Sequence, residues 1–266
     1  MSAGDYARLL PALAHLAATA GQRILETVPT DLVTRTKIDL SPVTNADEAS
    51  EAILHDGLAQ LLPGVPIVAE ERVAAGESPE AASEFWLVDP LDGTREFLSG
   101  GQEFAINIAL IRDGLAEFGA IYAPALGVLY AGWHSTALRI ALAPGGAFDR
   151  TKAAPIKVRP RPPRLVVAVS RSHPDAATDK YIATLSVERR LVMGSALKFA
   201  AVAEGTADAY PRFLPLREWD VAAGHALVVA AGGAVQSPDG AALRYGGRAK
   251  KFELGGFLAW GGPPAT

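Results

Sequence analysis

A chain of 266 residues can bury a substantial core, as one large domain or as two intimate ones. With 49% apolar and 20% charged residues the composition is that of an ordinary soluble protein, and a formal net charge of -4 argues against general nucleic-acid binding. The absence of cysteine removes disulfides, thiolate metal sites and cysteine nucleophiles.

The first apolar positions (Leu9, Leu10, Leu13, Leu16, Ala17, Ala20, Ile24) recur at helical spacing, predicting one amphipathic helix over residues 5 to 28. Asp5 and Arg8 interrupt the run, so it does not read as a cleavable signal, and no apolar stretch approaches a membrane span. The default expectation is a soluble cytoplasmic protein, with peripheral association with the inner membrane left open and monomer or homodimer undecided. His15 reads as a surface or packed histidine within this helix. After Pro29, a short polar strand is expected from Leu32 to Ile38, followed by Asp39-Leu40-Ser41-Pro42-Val43-Thr44. Pro42 stops regular structure, and either Thr44 or Asn45 caps a helix from about Asp47 to Leu62. Asp47 falls in its first turn, where the helix dipole favours an anion; alone, that is capping. Pro63-Gly64 ends the helix. Val65 to Ala69 reads as a strand whose exit carries Glu70-Glu71, and residues 72 to 84 as a mobile acidic loop.

The apolar run from Phe85 to Val88 predicts a short buried strand that delivers Asp89 and Asp92 to a tight bend. Pro90 fixes one φ between them, and Asp92-Gly93 is a strong turn signal. Two carboxylates on a rigid turn suit a hard divalent cation, and Gly93 and Thr94 offer backbone N–H groups to an anion. An isolated Asp-Gly is nonetheless an ordinary turn. An EF-hand is excluded, because Leu91 falls where that loop needs an oxygen ligand and no glutamate closes it. Phe104 to Ile111, Ala116 to Tyr122, Gly127 to Trp133 and Ala137 to Ala143, separated by turn signals, predict an antiparallel meander.

Prolines and basic residues gather between Ala143 and Arg164, which places a domain boundary near residue 150. The expectation is an N-terminal α+β metal-binding subdomain over 1–150 and a C-terminal α/β subdomain over 151–266. Leu165 to Val169 reads as a buried strand leading into Ser170-Arg171-Ser172-His173. A helix from about Asp175 to Leu185 and a strand from Arg189 to Val192 follow. Gly194-Ser195-Ala196-Leu197-Lys198 opens a helix to about Glu204, and Ala207 to Tyr210 reads as a strand. Glu218-Trp219-Asp220 opens a helix of small residues that ends at Gly232-Gly233, and the tail from Ala234 is strand-like. Strands alternating with helices give the second half an α/β character.

Glu70, Asp89, Asp92, Asp220 and Asp47 stand out, each at a strand exit or a helix start. Clustered carboxylates raise one another's pKa, and divalent cations remove that cost. An all-oxygen ligand set points to Mg²⁺, with Mn²⁺ as a substitute.

Three separated motifs, Glu70-Glu71, Asp89-Pro90-Leu91-Asp92-Gly93-Thr94 and Trp219-Asp220-Val221-Ala222-Ala223-Gly224, resemble the signatures of the inositol monophosphatase superfamily. The likeness covers residues from about 37 to 245. Ser170 to His173, Gly194 to Phe199, Val202 to Gly205, Tyr210 to Phe213, Lys37 to Thr44 and Asp220 to His225 look like the CysQ branch, the bacterial 3'(2'),5'-bisphosphate nucleotidases. Two departures are Ala69, where relatives often carry Ser or Gly, and Leu214-Pro215-Leu216-Arg217, where they more often show Gly-Pro-Thr near the expected substrate mouth.

The resemblance implies a layered α/β (α+β) sandwich and a lithium-sensitive phosphatase using two or three Mg²⁺ ions. Its substrate would be 3'-phosphoadenosine 5'-phosphate, hydrolysed to AMP in sulfur metabolism. By position, Glu70, Asp89 and the Leu91 carbonyl would hold one ion, and Asp89, Asp92 and Asp220 a second. Thr94 and Asp47 would orient and deprotonate the attacking water, with Glu71 and Asp39 as supporting or third-metal groups. Gly93 and Thr94 amides would bind phosphate oxygens. Lys198, Arg171 and Arg212 would meet the substrate's remaining charge, Gly194 and Ser195 would donate to it, and Ser170, His173 and Tyr210 would face the nucleoside. His225 reads as a packed structural histidine and Trp219 as a wedge that positions Asp220. Alternatives are an inositol monophosphatase or fructose-1,6-bisphosphatase activity, or a non-catalytic nucleotide-binding regulator on the same scaffold.

Overall fold

The computed structural model describes residues 2–27, 33–36, 42–77, 82–247 and 251–262. In chain order the first half comprises α1 (Ala3–Glu26), β1 (Thr34–Thr36), β2 (Pro42–Thr44), α2 (Asn45–Leu61), β3 (Ile67–Ala69), α3 (Glu70–Ala74), β4 (Glu84–Asp92) and α4 (Thr94–Leu98). It continues through β5 (Ala105–Arg112), β6 (Leu115–Ala123), β7 (Val128–Trp133), β8 (Thr136–Ala141) and β9 (Ala153–Pro155). The second half holds β10 (Leu165–Ser170), α5 (Ala176–Ile182), β11 (Val187–Met193), α6 (Leu197–Ala203), β12 (Ala209–Arg212) and β13 (Leu216–Arg217). It ends with α7 (Glu218–Ala230), β14 (Ala234–Gln236), β15 (Glu253–Leu254) and β16 (Phe257–Trp260).

Strands β3 to β9 lie side by side in sequence order as a seven-stranded sheet, antiparallel except for the parallel β3–β4 pair. The expected meander is its centre. Strand β9 lies within the proline-rich stretch and pairs with β8, so this sheet extends past residue 150. Alternate residues of β4 enter different cores: Trp86 and Val88 pack with α1 and α2, whereas Phe85 and Leu87 pack with α6 and α7. A sheet buried on both faces is why β4 reads as an unbroken apolar run instead of an alternating one.

The second sheet runs β11-β10-β12-β16-β14, with β10 parallel to both neighbours and β16 antiparallel to β12 and β14. Val166 and Ala168 of β10 face the α6–α7 core, while Leu165 and Val167 face Ile182 of α5. The layers are therefore helix, sheet, helix, sheet, helix: a layered α/β sandwich. Helix α7 needs its small residues because it lies almost on the strands. A Cβ added to Gly119 would come 2.2 Å from the Ala223 carbonyl oxygen, and one on Gly224 2.2 Å from the Phe199 ring. This close seating presents the first turn of α7, and with it Asp220, to the end of β4.

Several expectations shift. Thr44, not Asn45, caps α2: its hydroxyl accepts the Ala46 amide at 3.1 Å. Glu70 and Glu71 do not leave the strand into a loop; they begin α3, because Glu51 accepts the amides of Glu71 and Arg72 at 2.7 and 3.0 Å and so satisfies first-turn donors. Strand β4 does not stop at Val88 but continues to Asp92. Asp89 pairs with Asn107 and Asp92 with Ala105, three steps against two, so one extra residue bulges where Pro90 sits. Of the predicted 32–38 strand, β1 keeps Thr34–Thr36, and Asp39 lies outside the described residues.

Candidate active site

Three elements deliver carboxylates to one point. Asp89 stands on β4, Glu70 opens α3 directly after the parallel neighbour β3, and Asp220 is the third residue of α7. One oxygen from each lies within 4.8 Å of the other two. Asp89 is only 2% exposed, and one of its oxygens accepts the Leu91 amide at 3.0 Å. Burial, then the charges of Glu70, Asp92 and Asp220, push its carboxyl well above the usual range. Burial, followed by Glu70 and Asp92, pushes Asp220 up to about 8. Such a trio is costly when bare, and a divalent cation offsets both desolvation and repulsion with the oxygen ligands it prefers. The donor set therefore fits a hard metal ion.

Asp92 stands beside the trio but is not part of its tight triangle. Its Oδ2 accepts from the Ala196 amide and, at 3.4 Å, from Asn107 Nδ2. Burial raises its pKa against the opposing Lys198 charge. Gly93 follows at φ 91, and a Cβ there would come 3.2 Å from the Glu103 carbonyl oxygen and 3.3 Å from Ser195 Cβ. The turn is thus left-handed and closely packed at once, and glycine meets both demands.

On the other side of β4, the Thr94 hydroxyl lies 3.2 Å from Asp47 Oδ1 and 3.1 Å from the Leu91 carbonyl oxygen. Asp47 is 2% exposed, and its other oxygen accepts from the Thr44 amide at 2.8 Å and the Thr44 hydroxyl at 2.6 Å. The capping box that starts α2 therefore fixes the carboxylate that meets Thr94.

The carboxylate trio, Asp92 and Thr94 open onto a cleft of about 470 Å³, within the range that holds a small ligand, whereas Asp47 is not on its wall. Glu70, Asp89, Asp92 and Asp220 line it, together with His173, Lys198, Tyr210 and Arg212. Ser170, Ser195, Leu91, Gly93 and Thr94 also face it. Lys198 is buried, and its Nζ donates to the Ser195 carbonyl at 2.5 Å and the Met193 carbonyl at 3.4 Å. Burial, opposed by Asp92, lowers its pKa to about 8. Tyr210, buried beneath it, is pushed up to about 12 and stays a neutral phenol. His173 sits at the rim with surface open to solvent, yet desolvation followed by the charges of Arg212 and Arg95 pushes it down to about 4. It is a neutral ring at physiological pH.

Other residues stand elsewhere. The Gly194 amide donates to Glu103 at 2.6 Å, and Gly194 does not line the cleft. Arg171 is paired with the same Glu103 at 2.6 Å, which removes it from the cleft's cations. Glu71 is held through its amide by Glu51 and lies off the cleft wall. Leu214, Pro215, Leu216 and Arg217 line the mouth, and Trp219 is buried against Phe252 at the start of α7. His225 is half-buried and bonds the Tyr245 hydroxyl at 2.7 Å, a packed structural histidine. Sequence reasoning passed over Glu51, Arg95 and Asn107. Glu51 was findable: it lies four residues after Asp47, so both project from one face of α2.

A model of the inositol monophosphatase family matches residues 5–256. The 3'(2'),5'-bisphosphate nucleotidase CysQ of Escherichia coli K12 is 42% identical over 243 residues, spanning 89% of this chain and 94% of its own. The enzyme of that name from Buchnera aphidicola is 38% identical over 240 residues, spanning 90% and 88%. Among solved structures, CysQ from Bacteroides thetaiotaomicron superposes with a TM-score of 0.76 at 31% identity, over 97% of this chain and 98% of that one.

Proposed function

We propose, since the chain belongs to the inositol monophosphatase family, that its cleft hydrolyses the 3'-phosphate of 3'-phosphoadenosine 5'-phosphate, releasing AMP and inorganic phosphate. The observation that carries this reading is one cleft lined by four carboxylates together with Lys198, Arg212, His173 and Tyr210. A nucleoside with two phosphate groups matches a lining that joins metal-binding carboxylates, cations and neutral rings. Likeness to bisphosphate nucleotidases along most of the chain supports the same substrate.

The acidic cluster is that of a metal-dependent family, and we assign Mg²⁺ to it, as two or three ions for which Mn²⁺ can substitute. Glu70, Asp89, the Leu91 carbonyl, Asp92 and Asp220 would hold them. When bound, the ions supply charge neutralisation at the phosphate and a more acidic water. The chain's own residues supply the rest. The Thr94 hydroxyl orients the attacking water, and Asp47 takes its proton through that hydroxyl. As the water oxygen joins phosphorus, the bond from phosphorus to the ribose 3'-oxygen breaks, and the leaving oxygen takes a proton from solvent water in the cleft. Amides of Gly93 and Thr94 stabilise charge on the phosphate oxygens. Lys198 holds the turn after β11 through the Met193 and Ser195 carbonyls and balances Asp92. His173 and Tyr210, both uncharged, suit contact with the nucleoside, with Ser170 and Ser195 donating.

We read the chain as two subdomains that share this cleft, with the boundary expected at 150 moved beyond β9, the second contributing Asp220 and the substrate-facing residues. Among the described residues no helix is long and apolar enough to cross a membrane, and we place the reaction in the cytoplasm. Phosphorus-31 NMR of the products tests the assignment: AMP retaining its 5'-phosphate is expected, and adenosine 3'-phosphate as product would overturn it.

A further inference from the structure

Glu218, the first residue of α7, is an acid that no step of the reaction uses, yet it is only 2% exposed. A buried carboxylate is costly unless its oxygens are hydrogen-bonded, and both are. One accepts the Gly246 amide at 2.6 Å and the other the Gly247 amide at 2.7 Å. A Cβ on Gly247 would come 2.9 Å from Glu218 Oε1, so the chain after Tyr245 approaches the carboxylate more closely than a side chain there would allow. The same segment returns to the start of α7. Phe252 donates to the Gly247 carbonyl at 3.1 Å, and its own carbonyl accepts the Glu218 amide at 2.8 Å. Arg217 lies opposite Glu253 in the β13–β15 pair and donates to the Lys251 carbonyl at 3.1 Å. Asp220 is tied to this seam, because its Oδ2 accepts the Arg217 amide at 2.8 Å.

The seam is weak without Glu218. Strands β13 and β15 are two residues each, too short to hold alone. Lys251 and Phe252 enter β15 at φ 51 and 59, a left-handed conformation that such residues keep only when their surroundings impose it. The two bonds to the Glu218 carboxylate are charge-assisted and therefore the strongest links in the seam. We infer that Glu218 is a positioning residue for the metal centre: by clasping Gly246 and Gly247 it holds the segment that fixes the Arg217 amide, and with it the direction of the Asp220 carboxylate toward Glu70 and Asp89. The inference rests on the metal assignment above. A carboxylate already held in one direction meets an ion without further ordering, whereas a loosened one must be ordered as the ion binds.

The test reads metal binding without turnover, by titrating Mn²⁺ into substrate-free protein and following the free ion by electron paramagnetic resonance. Glu218→Gln keeps the volume, but its side chain can accept from only one of the two glycine amides. Its Kd for Mn²⁺ should rise at least about tenfold, the range for loss of a group that orients a metal ligand. Glu218→Asp keeps the charge on a shorter stem and should fall between Glu218→Gln and the parent. His225→Gln is the control for mere loosening: it cuts the 2.7 Å bond from α7 to Tyr245, on the same segment. It should lower the melting temperature and leave Kd within about twofold of the parent. In turnover, the Mg²⁺ needed for half-maximal rate should rise in Glu218→Gln, while KM for the nucleotide at saturating Mg²⁺ stays within about twofold. A Kd for Glu218→Gln within about twofold of the parent, or an equal rise in His225→Gln, would overturn the positioning role and leave the metal assignment intact. If Glu218→Gln does not fold, the same limit applies to Glu218→Asp; if neither folds, Glu218 is a requirement of the fold and the inference fails. Mn²⁺ binding unaffected by Asp220→Asn would overturn the metal assignment itself, and the inference with it.

Discussion

The Thr94 hydroxyl oxygen lies 3.2 Å from Oδ1 of Asp47, joining residues 47 positions apart, the first turn of α4 and the first turn of α2. Asp47 is anchored through its other oxygen by Thr44, so the α2 cap sets where the oxygen facing Thr94 stands.

That arrangement predicts a large catalytic loss from a small change. Asp47→Asn keeps the shape but cannot accept the proton, and kcat should fall by about a thousandfold, in the range for loss of a general base. Weakening of the α2 cap should cost about 1 kcal/mol of stability. Thr94→Ser, which keeps the hydroxyl, should stay within about tenfold of the parent, whereas Thr94→Val should fall with Asp47→Asn. Rates and thermal melts of the three variants check this. An Asp47→Asn enzyme within tenfold of the parent would move the base elsewhere.

His225 governs a different property. Burial lowers its pKa to about 4 from the usual 6.5, so the unfolded chain binds a proton between those values that the folded chain refuses. Its contribution is fully present above pH 6.5 and is lost as pH falls toward 4, a difference of roughly 3 kcal/mol. His225→Gln loses the Tyr245 hydrogen bond at every pH but lacks this titration. The stability gap between parent and variant, measured by urea unfolding from pH 7.5 to 4.5, should therefore narrow as the solution is acidified. Parallel curves would contradict the assignment.

Lithium should inhibit. Li⁺ is close to Mg²⁺ in size and prefers oxygen ligands, but it carries half the charge, so among Asp89, Asp92 and Asp220 it can occupy space without balancing the cluster. Initial rates at fixed Mg²⁺ should fall with LiCl and much less with NaCl or KCl at matched ionic strength, the control for screening of so charged a substrate. Equal effects of the three salts would detach this carboxylate set from the metal role.

Much of the acidic cluster was legible because Glu70, Asp92 and Asp220 each sit where a regular element starts or stops and Asp89 sits where Pro90 bulges β4, and such places are marked by glycine, proline and capping residues. The meander and the small-residue helix were legible for the same reason: period and turn chemistry are local. What was not legible is which side chain another residue already holds. Arg171 and Lys198 read alike as substrate cations, yet Glu103 captures the first and two backbone carbonyls the second. Likewise Glu70-Glu71 became a helix start through Glu51, a partner 20 residues away.

The most direct measurement compares kcat/KM for adenosine 3',5'-bisphosphate, inositol 1-phosphate and fructose 1,6-bisphosphate, all in Mg²⁺ at one ionic strength. A cleft lined by carboxylates, cations and the neutral rings of His173 and Tyr210 predicts that the nucleotide is preferred by at least about a hundredfold, one contact to the second phosphate and one to the nucleoside at about 1.5 kcal/mol each. Inositol 1-phosphate or fructose 1,6-bisphosphate turned over as efficiently as the nucleotide would contradict it.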